Sequence, residues 1–197
     1  RSEFVSLCPR AVECECEEFS TCLTLKLNSS AALSFVTYFS LRLPSLKAKV
    51  RSLDLSINNI VMIKTFDFKD LSALQSLNTS CNRMSHVDDG AFSDLVVLQE
   101  LNLANNRLNT LSDHLFQGLG NLSVLRLDYN HIKIISSSTF QNLSSLNVLN
   151  LTGNQLNVLK KVQTILLFIH LQELYICGTA EPQLIINISH TVSFRGR

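Results

Sequence analysis

Phenylalanine recurs at one fixed interval along this chain, and that interval limits the fold more than any other feature. Phe68, Phe92, Phe116 and Phe140 stand 24 residues apart. Leucine recurs with the same period at 53, 77, 101, 125 and 149, and asparagine at 58, 82, 106, 130 and 154. A unit this short cannot bury its own apolar face, so successive units must stack and share one continuous core.

Each unit contains the alternation of a short strand. Leu101 and Leu103 point inward while Asn102, between them, points outward, because side chains alternate across a strand. Strands of neighbouring units then pair into a parallel sheet. Asn106 follows where the chain turns out of the strand, and its amide can satisfy backbone groups that the turn would bury. We interpret the recurring asparagine as a ladder.

One complete unit, Leu98 to Asn121, reads LQELNLANNRLNTLSDHLFQGLGN and resembles the leucine-rich repeat form LxxLxLxxNxLxxLxxxxFxxLxx. The resemblance implies an α/β solenoid. This is a leucine-rich repeat horseshoe with a parallel concave sheet, a mostly irregular or short helical convex side, and an N-terminal disulfide cap. Clear units begin at residues 50, 74, 98, 122 and 146. A degenerate first strand is expected at Leu25 and Leu27, and a sixth repeat at Leu171 to Ile176, one residue late.

Four cysteines crowd into the start of the chain, at Cys8, Cys14, Cys16 and Cys22. We expect them to form a disulfide cap over the open apolar end of the first coil, with three connectivities that the sequence does not separate. Zinc is the less favoured interpretation because the spacing lacks paired CxxC motifs, and no metal or cofactor is expected. The predicted organisation is a cap at 5–27, repeats at 28–177, and a degenerate repeat or tail at 178–197.

Glycosylation motifs agree with an oxidising compartment. The N-x-S/T sequons begin at Asn28, Asn78, Asn121, Asn142, Asn150 and Asn187. Together with the cysteine cap they place the protein in the secretory pathway, extracellular or in an endosomal lumen. The chain has no apolar run of membrane-spanning length, and its first residues lack the form of a cleavable signal sequence.

The net charge of +1 creates no global attraction for nucleic acid or anionic membrane, so such binding needs a local patch. A candidate is the edge stripe, which consists of Arg83, Arg107, His131 and Lys133. The first three follow the ladder asparagine directly and would lie about 4.8 Å apart, so the stripe could track a phosphate backbone. Acid would charge His131 and strengthen anion binding. The alternative is that these are simply exposed positions, at which the repeat pattern often carries a basic residue.

The concave face offers a second surface. Its outward residues are Asp54, Asn78, Asn102, Arg126, Asn150 and Tyr175, with Tyr129 nearby. A glycan on Asn78 or Asn150 would obstruct this face, which favours the lateral edge for a large partner.

Cys81 and Cys177 are interpreted as partly buried free thiols, because four strand spacings, about 19 Å, are too long for a bridge between them.

The sequence does not favour an enzyme. Gly118 and Gly120 lack the third glycine of a phosphate loop and follow no strand. His86, His114 and His131 occupy unrelated positions of their repeats, so no nucleophile, base and orienting group share a register.

Two stretches, LSDHLFQGLGNLSVLRLDYN from Leu111 to Asn130 and LQELYI from Leu171 to Ile176, resemble the N-terminal third of a Toll-like receptor ectodomain. The similarity extends to the fish branch with receptor types 13 and 22. It implies a microbial ligand, with nucleic acid among the candidates, a receptor dimer, and signalling through a membrane-anchored full-length protein. The alternative is a secreted leucine-rich adhesion or matrix protein, or a soluble decoy receptor.

Overall fold

In the computed structural model, residues 50–156 and 171–176 are described in full, and residues 12–13, 24–27 and 184–187 as strand backbone. The predicted cysteine cap, the sequons at Asn28 and Asn187, and Cys177 lie outside these fully described ranges. The strands, in chain order, are β1 (Val12–Glu13), β2 (Thr24–Leu27), β3 (Ser52–Asp54), β4 (Met62–Ile63), β5 (Ser76–Asn78), β6 (His86–Val87), β7 (Glu100–Asn102), β8 (Thr110–Leu111), β9 (Val124–Arg126), β10 (Ile134–Ile135), β11 (Val148–Asn150), β12 (Glu173–Ile176) and β13 (Leu184–Asn187).

One strand from each coil joins a single main sheet, in the order β1-β2-β3-β5-β7-β9-β11-β12-β13. Pairing is parallel from β2 to β12 and antiparallel at the two ends. Leu53, Leu77, Leu101 and Leu125 pair in register, 24 residues apart. Leu149 pairs with Leu174, which confirms that the sixth strand arrives one residue late.

The core is a stack of equivalent side chains. The leucines at the centre of the described strands are at most 1% exposed, and Phe68, Phe92, Phe116 and Phe140 at most 2%. The rings of Phe68 and Phe92 stack with centroids 6.0 Å apart, as do those of Phe116 and Phe140. Burial of each ring contributes roughly 2 to 3 kcal/mol. The predicted leucine-rich solenoid is confirmed.

The side of the coil that follows the main sheet contains more structure than the sequence predicted. Strands β4 and β6 form one short parallel sheet, and β8 and β10 form another. The remainder of the convex side, across residues 50–156, is turns and bends without an α-helix. These short sheets fix the direction of the chain just beyond the edge stripe.

Candidate ligand-binding edge

A ladder of asparagine side chains joins the coils where the chain leaves the main sheet. Asn82 Oδ1 accepts a hydrogen bond from the Ile60 amide at 3.0 Å, and its Nδ2 donates to the carbonyls of Leu55 and Thr79 at 2.9 and 3.0 Å. Asn106, Asn130 and Asn154 repeat this pattern and are buried. The predicted ladder is confirmed. Each asparagine ties its own coil to the preceding one, so the exposed residues beside it are held in register.

The residue before each ladder asparagine has a left-handed backbone. This left-handed column consists of Ile57, Cys81, Asn105, Tyr129 and Gly153, with φ between 54° and 71°. The four residues of the column that have side chains are all exposed, Ile57 at 79% and Tyr129 at 58%. Glycine and asparagine adopt this conformation readily, but bulky and β-branched residues do so rarely. The expectation that Cys81 is partly buried is wrong, because the left-handed turn directs its thiol into solvent.

The residue after each ladder asparagine carries the edge stripe. The amides of Arg83, Arg107 and His131 donate to the carbonyls of Ile60, Met84 and Leu108 in the preceding coil, at 2.8 to 2.9 Å. All three side chains are exposed. The structure therefore brings them together on one edge, in consecutive coils.

The four members of the edge stripe differ in their surroundings. Neither guanidinium of Arg83 and Arg107 forms an ion pair with another described residue. His131 Nδ1 lies 3.5 Å from Gln155 Nε2 in the next coil. Lys133 is exposed, and its amide bonds to the Asn109 carbonyl at 2.9 Å, which continues the stripe around the same edge.

The ring of Tyr129 packs against the next coil. A Cβ atom added to Gly153 would come within 2.7 Å of Tyr129 Cδ1 and 3.0 Å of Cε1. The ring therefore lies directly against the glycine backbone and occupies the space that any side chain at this position would fill.

The concave face is organised by side chains that bond to their own backbone. Asn78 Oδ1 accepts from the Ser80 amide at 3.1 Å, and Asn102 Oδ1 from the Ala104 amide at 3.0 Å. Asp54 and Asn150 do the same in their repeats. Most of these predicted concave residues are thus engaged in shaping the turn that follows the strand.

Arg126 interrupts that pattern, since a guanidinium has no acceptor. Two residues later, Asp128 is half-buried, and its Oδ1 is a buried side-chain oxygen without a hydrogen-bond partner among the described residues. Burial raises the pKa of the Asp128 carboxyl, while a bond from its own amide and the charge of Arg126 act in the opposite direction. Farther along the face, the Tyr175 hydroxyl donates to Glu173 Oε2 at 2.7 Å, and this bond raises the pKa of Tyr175.

A surface cleft of about 380 Å³ lies between β6 and β8, where the two short sheets are not joined. Its polar lining contains Ser112, which donates to Asp89, and His86, whose Nε2 lies 3.2 Å from Asp88 Oδ1. The serine and the histidine therefore bond to different aspartates. Across the described residues, no three metal-ligating side chains are placed to hold an ion.

The repeat architecture agrees with a known family. Residues 48–108 and 96–156 each match the model described as leucine rich repeat, and together they cover more than half of the chain. The chain belongs to the leucine-rich repeat family. A comparison with curated proteins gave no match.

Solved structures with the same fold include receptors of the Toll type. This leucine-rich repeat chain is similar to the crystal structure of a TLR13–ssRNA13 complex, with 28% identity over 68% of this chain and 20% of that one, and a TM-score of 0.59. It is also similar to the Drosophila Toll–Spatzle complex, with 25% identity over 66% of this chain and 18% of that one, and a TM-score of 0.57. The predicted resemblance to Toll-like receptor ectodomains is confirmed. The chain spans about a fifth of the length of these structures.

The sequons of this leucine-rich repeat chain fall on different faces. Asn121 and Asn142 are exposed, whereas Asn78 and Asn150 are half-buried at the end of concave strands. The Asn121 amide also donates to the Val96 carbonyl at 2.7 Å. Which of these side chains carry glycan stays a prediction.

Across the described ranges, no helix has the length and hydropathy needed to cross a bilayer.

Sequence reasoning identified the edge stripe but missed the column beside it. The signal was present, because Asn105 and Gly153, which favour a left-handed backbone, occupy the same repeat position as Tyr129. The cleft between β6 and β8 left no comparable signal, since strands of two residues show no usable alternation.

Proposed function

We propose that this chain is the ligand-recognition part of a Toll-like innate immune receptor, and that its ligand is microbial single-stranded RNA bound along the edge stripe. It acts as a binding module without catalysis. The similarity to the TLR13–ssRNA13 structure supports this class of ligand. In the full-length receptor, of the branch that includes types 13 and 22, ligand binding in an extracellular or endosomal lumen brings two copies together and starts signalling.

The observation that carries this proposal is the arrangement of Arg83 and Arg107. Both guanidiniums are exposed and have no ion-pair partner among the described residues, so a ligand phosphate does not have to displace an internal carboxylate. The backbone bonds to Ile60 and Met84 fix them on consecutive coils, about 4.8 Å apart. Neutralised phosphates release counterions, which makes such binding strongly dependent on salt.

The test is the affinity of a labelled single-stranded RNA for the double variant Arg83→Ala with Arg107→Ala, measured by fluorescence anisotropy over a range of salt concentrations. We expect weaker binding, and a slope of log K against log salt that is smaller in magnitude by about 1.4, since about 0.7 is lost per phosphate contact on single strands. The matched control is Lys64→Ala with Lys69→Ala, which removes two exposed cations of the first described repeat, away from the stripe. Equal losses in both double variants would show only a general charge effect and would refute the edge site.

A second candidate function is protein binding on the concave face, as in an adhesion protein, a matrix protein or a soluble decoy. A hollow of about 270 Å³ on the sheet is lined by charges of both signs, Glu100 and Arg126, which suits a protein surface better than a polyanion. The Toll structure, solved with Spatzle, supports this alternative. Two results together would favour this second function. RNA binding would be the same in both double variants as in the wild type, and the protein would capture a protein ligand that Arg126→Ala no longer binds.

A further inference from the structure

Tyr129 combines an unfavourable backbone conformation with an exposed aromatic side chain. Its backbone is left-handed, with φ of 54°, a conformation that large side chains rarely adopt. The residue is nevertheless 58% exposed, so burial of its side chain does not compensate for the unfavourable backbone. Asparagine or glycine, which stand at this position in the adjoining coils, would fit the turn without strain.

The ring is also held in place from one side. It lies against the backbone of Gly153 so closely that a Cβ there would approach three ring carbons, at 2.7, 3.0 and 3.3 Å. The Tyr129 amide is anchored to the same coil by its 2.7 Å bond to the Thr152 carbonyl. An aromatic ring fixed in this way loses little conformational entropy when a flat ligand stacks on it.

Two basic side chains lie near this ring on the same edge. His131 follows Tyr129 by two residues, so their Cα atoms are at most about 7 Å apart. Arg107 occupies the equivalent position of His131 one coil earlier, about 4.8 Å away along the stack. The neighbouring anion, Asp128, is half-buried. An exposed aromatic ring next to a row of basic side chains is the combination that binds single-stranded nucleic acid without base-specific contacts.

We propose that Tyr129 is a stacking platform for one base of a single-stranded nucleic acid whose phosphates follow Arg83, Arg107 and His131. This inference rests on the proposed function and adds a contact that charge alone does not supply. The base stacks on the ring, and the phosphates on either side of it meet the edge stripe. The platform gives affinity that tolerates sequence changes, because every base has a flat face.

The first test compares Tyr129→Leu with Tyr129→Phe in the same RNA anisotropy titration. Leucine removes the ring, so we expect affinity to fall about tenfold or more while the salt slope stays unchanged, since no phosphate contact is lost. Phenylalanine keeps the ring, so affinity should match the wild type. Circular dichroism and thermal melting establish that both variants are folded.

Each outcome separates this inference from the proposed function. If Tyr129→Leu binds RNA as tightly as the wild type while the double arginine variant loses binding, the platform is wrong and the edge site remains. A loss in Tyr129→Leu that comes with a smaller salt slope would also overturn the platform, because the ring would then be ordering the cations. Wild-type protein that binds no RNA would refute the proposed function itself.

A second measurement does not depend on any variant folding. Wild-type protein is irradiated with RNA that carries 5-iodouridine, which forms covalent bonds to aromatic rings stacked on it, and the attached peptides are identified by mass spectrometry. We expect attachment at Tyr129. Efficient attachment confined to other residues, such as Tyr175 on the concave face, would contradict the proposed platform.

Discussion

At the scale of single residues, Arg126 shows how one change in a repeated position alters the chemistry of its neighbours. The equivalent residues of the four other clear repeats are Asp54, Asn78, Asn102 and Asn150, and each accepts a hydrogen bond from the amide two residues later. Arg126 cannot accept such a bond, and Asp128, two residues later, has one buried carboxylate oxygen without a hydrogen-bond partner among the described residues. The concave face thereby gains an exposed cation, and the turn gains a half-buried anion.

We expect Asp128→Asn to stabilise the protein in a way that depends on pH. The folded-state pKa of Asp128 is raised, chiefly by burial, so the folded state binds more protons than the unfolded state between the ordinary carboxyl pKa and the raised value. Wild-type stability should therefore fall as pH rises through that window. The asparagine variant lacks the charge, so its advantage in melting temperature should be present at neutral pH and disappear in acid.

Thermal melting of both proteins from acidic to neutral pH measures this difference. Glu100→Gln removes a negative charge from an exposed position of the same face and serves as the control. An advantage of Asp128→Asn that stays constant across the pH range would contradict the role assigned to burial.

At the scale of elements, the asparagine ladder stabilises the turns that carry the edge. We expect Asn106→Ala to lower the free energy of unfolding by roughly 2 to 4 kcal/mol, because it leaves the buried Met84 amide without its acceptor. It also removes one of the two asparagine donors from each of the Thr79 and Leu103 carbonyls, which keep their bonds from Asn82 and Asn130. Asn102→Ala is the matched control. It removes one half-buried bond, to the Ala104 amide, and should cost about 1 kcal/mol or less. Chemical denaturation measures both, and similar losses in the two variants would contradict the ladder's role.

The strands differ in how far the sequence determined them. Each main-sheet strand was predictable because its leucines alternate with polar residues and recur every 24 residues, as at Leu101 and Leu125. The short strands β4, β6, β8 and β10 were not, since two residues are too few to show a period. Their pairing follows from the stacking of the coils. The position of the edge stripe was predictable for the same reason as the core, because register along the solenoid transfers from one repeat to the next.

At the scale of the whole molecule, the stacked coils convert a repeat in sequence into rows on the surface. The left-handed column and the edge stripe flank the buried ladder. Both rows therefore run parallel to the stack of phenylalanines in the core. A linear polymer fits such rows because the polymer and the rows each repeat at regular intervals. The sequence predicted the edge stripe but not the column beside it. The left-handed turn at Tyr129 makes one member of that column an exposed, anchored ring.

Hydrogen exchange measured with and without single-stranded RNA tests the central claim, that stacked coils present one RNA-binding edge. Amides of the ladder turns, which bond between coils, should exchange slowly in the free protein. Addition of RNA should slow exchange further in three segments, residues 81–83, 105–107 and 129–131, which recur at the 24-residue interval. Additional protection on the concave strands instead, or in one isolated segment without the repeat interval, would contradict the account.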